Sequence, residues 1–106
     1  MSDMGDVEIK LDGKTETLRS TVRAALAVSA MGGGFGEIYR RLAAMDLQTY
    51  IDVVAVGLKK KPSEVEEAVW RAGLSALAEP LANYVGMLSN GGRPPRAAGD
   101  EPQGEA

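Results

Sequence analysis

Cysteine and histidine are both absent from this 106-residue chain. The first absence excludes disulfides and thiolate nucleophiles, the second removes the commonest general base, and together they rule out zinc sites of the usual ligand sets. Aromatics are scarce, with one phenylalanine, one tryptophan and three tyrosines. A basic excess is missing too: 12 Lys and Arg face 15 Asp and Glu, a formal net charge of -3. That balance argues against sequence-independent phosphate binding, which wants a basic surface. Apolar runs fall far short of the ~20 residues a membrane span needs. Met1 to Asp6 carries no basic segment followed by an apolar one, so the expected location is the cytoplasm. Most routes to catalysis are closed, and no enzyme activity, cofactor or metal is expected.

What the chain does have is 44% hydrophobic residues, enough for one modest core. A domain of this size buries roughly 60 to 70% of the surface its unfolded chain exposes. The stretch Asp46 to Leu58 is its expected centre. Leu47, Tyr50, Ile51, Val54 and Leu58 recur at helical spacing, and Val53, Ala55 and Val56 make the second half apolar nearly all round. Asp46 is placed to cap through the Thr49 amide, and Met45 to staple onto Tyr50. Lys59, Lys60 and Lys61 oppose the negative end of the helix dipole, and Pro62 blocks continuation.

Ahead of this helix, Val7, Ile9 and Leu11 alternate with Glu8, Lys10 and Asp12, and Asp12-Gly13 starts a turn. The pattern predicts a hairpin returning over Lys14 to Leu18. A three-residue loop is expected, because it sets Lys10 opposite Glu16 and opposite charges across strands contribute roughly 0.2 to 1 kcal/mol. Ser20 or Thr21 caps the next helix, whose apolar stripe is Val22, Leu26 and Ala30. Glycines 32 to 34 and 36 then make a pliable joint around Phe35. Phe35, Ile38, Leu42 and Met45 restart a helical stripe. After Pro62, Ser63 and Glu66 have capping-box spacing, for a helix burying Val65, Ala68, Val69 and Ala72 and ending at Gly73. Leu77, Leu81, Tyr84 or Val85, and Leu88 mark a last helix, started near Glu79 so that Pro80 falls in its first turn. The fold expected is α+β and mainly α, an N-terminal β-hairpin followed by a compact bundle of about five short helices. Residues 1–6 are read as a flexible N-terminus, 7–90 as the single domain, and 91–106, with no large apolar residue, as a disordered tail.

The candidate sites are few. The run Gly32 to Gly36 lacks the Gly-Lys-Ser/Thr ending and the preceding strand of a phosphate loop, so it reads as a helix joint. Arg19 with Arg23, Arg40 with Arg41, and Lys59 to Lys61 have no interleaved aromatics and acidic flanks, which fits solvated faces better than a nucleic-acid patch. Glu64, Glu66 and Glu67 are explained by helix starting rather than acid–base work. Met31, Phe35, Tyr39 and Met45 surround the joint, and thioethers beside aromatics suit an adaptable binding surface as well as a core. These four are the candidate partner-binding residues.

Taken in order, Leu11-Asp12-Gly13-Lys14, Leu18-Arg19-x-Thr21, Gly32-Gly33-Gly34-Phe35, Arg41-Leu42-Ala43-Ala44-x-Asp46, Val56-Gly57-Leu58, Pro62 to Val69 and Asn90-Gly91-Gly92-Arg93-Pro94 resemble the small tail protein of phage-like gene transfer agents, in the group of tail assembly chaperones. The resemblance spans about Gly5 to Pro94 and lies in the order of segments. It implies a non-enzymatic role in building a phage-derived tail, holding the tape measure protein until tube subunits assemble, with the tail tube protein as a second partner. A structural tail component is the alternative within that biology, and a small nucleic-acid-binding regulator is the alternative outside it. Small-molecule substrates and membranes have no place in this reading, while homo-oligomerisation is left open.

Overall fold

Alternation at the N-terminus makes two strands, β1 (Val7–Leu11) and β2 (Lys14–Leu18), paired antiparallel. Five helices follow: α1 (Val22–Gly32), α2 (Phe35–Ala43), α3 (Leu47–Leu58), α4 (Pro62–Ala72) and α5 (Leu74–Ser89). The computed structural model describes residues 5–94. The expected order of hairpin and five helices is therefore met. Residues 1–4 and 95–106, the outer parts of the two expected flexible ends, lie outside the described residues.

The hairpin register differs from expectation. Leu11 pairs with Lys14 and Ile9 with Glu16, which leaves a two-residue turn at Asp12-Gly13 rather than three residues. Both turn residues have positive φ, 54° and 79°, the geometry whose twist matches paired strands. Lys10 consequently faces Thr15, not Glu16. Ile9, Leu11 and Leu18 are buried against the helices.

At the centre, α3 buries Tyr50, Ile51, Val53, Val54 and Ala55 and touches β2 and all four other helices. It approaches β2 so closely that a Cβ on Gly57 would meet Leu18 Cδ2 at 2.7 Å, and the Gly57 carbonyl accepts from the Arg19 amide at 3.2 Å. The Asp46 carboxylate takes the Thr49 hydroxyl instead of the amide expected for a cap. Tyr50 Oη donates to the Leu42 carbonyl at 2.7 Å and lies 3.4 Å from Met45 Sδ, so the α2–α3 corner is tied from inside. Lys59, with φ of 57°, closes α3 in the left-handed conformation.

Three helix boundaries or faces also differ. In α1 the cap is Thr21, one of the two expected, accepting from the Ala24 amide, but the buried positions are Ala24 and Val28, so the Val22, Leu26, Ala30 stripe faces outward. In α4 the N-cap is Lys61 with Pro62 as the first helical residue, and Ser63 forms no capping box. Proline's fixed φ suits the first turn, and the residue before it is driven extended. Finally, α5 begins at Leu74 and carries Pro80 inside it, because Leu77, Leu81, Tyr84, Val85 and Leu88 bury one continuous stripe.

The two ends of the described segment come together, with Gly5 lying against the Gly92 carbonyl. Asp6, expected in the flexible N-terminus, accepts from the Ser20 amide at 3.2 Å and pairs with Arg19 at 3.1 Å, while Ser20 Oγ donates to the Gly5 carbonyl. Tyr84 Oη donates to the Arg19 carbonyl at 2.6 Å. Burial, assisted by the nearby Asp6 charge, pushes the Tyr84 phenol well above its ordinary value, so it stays a donor. Residues 91–94, expected in the tail, fold back: the Gly92 amide donates to the Met87 carbonyl at 2.8 Å and Asn90 Nδ2 to the Pro94 carbonyl at 3.0 Å.

Candidate functional site

The helix α2 is amphipathic by construction. Ile38 and Leu42 point into the core, and on the wet side Glu37 binds Arg40 and Arg41, with both arginine Nε atoms 3.0 Å from its carboxylate. These hydrogen bonds, Arg40's first and Arg41's second, lower the Glu37 carboxyl to about 2. Tyr39 stands between the two faces, 39% exposed.

Beside it, α2 and α5 leave a groove of about 560 Å³ lined by Tyr39, Leu42, Ala43, Ala78, Glu79 and Ala82. Small alanines on both walls make it shallow and apolar. Glu79 is its single charged residue. Such a surface offers contact area to apolar side chains.

The four candidate residues are distributed around this region unevenly. Met31 lies in the last turn of α1 and Phe35 begins α2, both half-buried and packed against the core. Tyr39 follows Phe35 one turn later and opens onto the groove. Met45 sits past the end of α2 with φ of 61°, 46% exposed, its sulfur against the Tyr50 hydroxyl. Between Met31 and Phe35 the joint is a defined turn, since the amides of Gly33 and Gly34 both donate to the Ser29 carbonyl, the latter at 2.8 Å. Those amides are occupied and do not form an anion cradle.

No family model, curated protein or solved structure matches the chain.

A larger groove, of about 630 Å³, runs between the hairpin and the α4–α5 corner, with Glu8, Lys10, Asp12, Arg71, Ala76 and Pro80 among its walls. Arg71 closes one side by gripping both Asp12 carboxylate oxygens at 3.0 Å, and it also reaches Glu67 Oε2 at 2.9 Å. Asp12 and Arg71 are thus spent on each other. Three more arginines are paired in the same way: Arg19 holds Asp6, and Arg40 and Arg41 hold Glu37. Among the described residues there is no cluster of three or more potential metal ligands. Among the described residues no helix is long and apolar enough to cross a membrane.

Two features escaped the sequence reading. The α2–α5 groove needs Ala78 in helical register with Ala82, which a helix starting near Glu79 does not supply. The second is in α1, where the apolar stripe singled out by spacing points outward, with Val22 72% and Leu26 60% exposed. Its signal was present, since α1 has Ala24 and Val28 on one side as well as Val22 and Leu26 on the other.

Proposed function

We propose that this protein is a non-enzymatic tail assembly chaperone that captures a helical segment of a tape measure protein during assembly of a phage-type tail. The observation that carries the reading is the apolar α2–α5 groove with Tyr39 at its edge, placed within a chain whose order of segments resembles that family. An amphipathic helix laid in a groove contributes its apolar face and is read at positions i, i+3, i+4 and i+7. Alanine walls let a partner helix approach closely, and Tyr39 supplies a large contact at little entropic cost. The partner-binding residues are Tyr39 and Met45 on the open side, with Phe35 and Met31 supporting them from the core.

A chaperone leaves when the tube closes around the tape measure protein. Mass spectrometry of purified particles tests this: the protein is expected far below the tube subunit in abundance. Abundance comparable to the tube subunit would make it a structural tail component instead.

A further inference from the structure

Helix α1 has two apolar sides and uses one. Ala24 and Val28 enter the core, while Val22, Arg23, Leu26, Ala27 and Ala30 are all exposed, with Arg23 the single charge among them. A helix apolar all round belongs inside something. Val22 and Leu26 are the two most exposed large aliphatic side chains among the described residues.

We infer that the outer face of α1 is a self-association surface, on which a second copy of this chain packs its own α1 antiparallel across a two-fold axis near Leu26. Three properties of the face favour a second copy. The stripe Val22, Leu26, Ala30 is evenly spaced by four residues. Reversed onto itself it sets Val22 against Ala30 of the mate, large on small, twice, with Leu26 against Leu26 at the centre; a parallel pair would set Val22 on Val22 and leave Ala30 facing Ala30. Ala27 beside the axis allows the backbones to approach.

Charge adds direction. The last turn of α1 has no basic residue of its own, so a cation brought to its C-terminal end from outside the helix is favoured by the dipole. Long helical side chains lean toward the N-terminus of their own helix. In the antiparallel pair that direction is the mate's C-terminal end, so each Arg23 lies near the last turn of the other copy's α1. An isologous contact repeats every such benefit twice. One helix face per copy is small for an interface, so the association is concentration-dependent and weak to moderate.

This surface lies on α1, apart from the α2–α5 groove, so its failure and that of the chaperone reading are separately visible. The test uses the full chain. Sedimentation equilibrium from micromolar to submillimolar concentration is expected to show mass rising from monomer to dimer. Leu26→Lys, at an exposed position, is expected to stay monomeric throughout with a cooperative melt preserved. Because the chain has no cysteine, single introduced thiols report orientation cleanly. A mixture of Val22→Cys and Ala30→Cys proteins is expected to form a mixed disulfide dimer under mild oxidation, with neither forming one readily alone. A wild type monomeric at every concentration, as would follow if a different partner covers α1, overturns the inference. So does a Leu26→Lys protein that dimerises like wild type, or homodisulfides forming from each single variant alone.

Discussion

Gly57 marks the closest approach between the central helix and the hairpin. A methyl group there would lie 2.7 Å from Leu18 Cδ2 and 3.0 Å from Leu18 Cβ, and Leu18 is fully buried. The Cδ2 end has rotamers to try, but Cβ is fixed to the strand. Alanine gains about 1 kcal/mol of helix propensity over glycine, whereas overpacking costs about 1 to 3 kcal/mol. Gly57→Ala is therefore expected to lower stability by about 1 kcal/mol net in urea melts, and combining it with Leu18→Ala is expected to be less destabilising than the sum of the two. A Gly57→Ala protein more stable than wild type would contradict the packing described.

Glu37 gives the clearest pH signature. Its carboxyl titrates at about 2 against an ordinary 4.5, held down by hydrogen bonds from Arg40 and then Arg41. A folded-state value below the unfolded one means the group stabilises above the ordinary carboxylate range and loses that contribution as pH falls through 4.5 towards 2. The site is solvent-exposed, so the effect is small and screened by salt. Thermal midpoints of wild type and Glu37→Gln are expected to differ at neutral pH and low salt and to converge as pH falls through that window. A gap that widens towards acid would show the pairing is not stabilising.

At the scale of elements, Pro80 is the irregularity with the largest consequence. It occupies the interior of α5 and has no amide to give the Ala76 carbonyl. The apolar stripe running through Leu77, Leu81, Tyr84, Val85 and Leu88 holds the helix together across it. Pro80→Ala is expected to raise the urea midpoint, by about 1 to 2 kcal/mol in stability, since the ~3 kcal/mol penalty of an interior proline is partly offset by proline's stiffening of the unfolded chain. A destabilised Pro80→Ala protein would mean that the break is needed for packing.

Much of this scale was legible from residues. The alternation of Val7, Ile9 and Leu11, the Thr21 start, the glycine joint and the apolar run from Val53 to Val56 each carry a local signal that packing leaves intact. Where the reading departed, two signals competed. Ser63 and Pro62 both start helices, and proline's fixed φ prevailed over a cap. Lys10 and Glu16 attract by at most about 1 kcal/mol, less than the fit of Asp12-Gly13 to a two-residue turn. In α1 both stripes are apolar, so periodicity had no means of choosing between them. The choice fell to Ala24 and Val28, which let α1 lie close to α3 and α5.

Over the whole molecule, α3 and α5 form the trunk and the hairpin, α1, α2 and α4 dress it. The fold class was readable because one helix had to be buried and one strand pair had to be covered. The α2–α5 groove was not, because it is made between elements remote in sequence and depends on where α5 begins. Two of the four candidate residues, Tyr39 and Met45, are exposed, while Phe35 and Met31 share their surface with the core. Tyr39 is thus the cleanest probe of capture: it opens onto the groove and contributes little to the interior.

The central claim is that this groove takes a helix of the tape measure protein. Affinity capture of co-expressed tape measure protein on the tagged chain measures it, with Tyr39→Asp as the test variant and Trp70→Asp, on exposed α4 surface away from the groove, as the control. The account predicts capture by wild type and by Trp70→Asp, and binding by Tyr39→Asp weaker by at least about tenfold, or ~1.4 kcal/mol, with its thermal midpoint near wild type. Failure of wild type to capture, or equal capture by Tyr39→Asp, would contradict it.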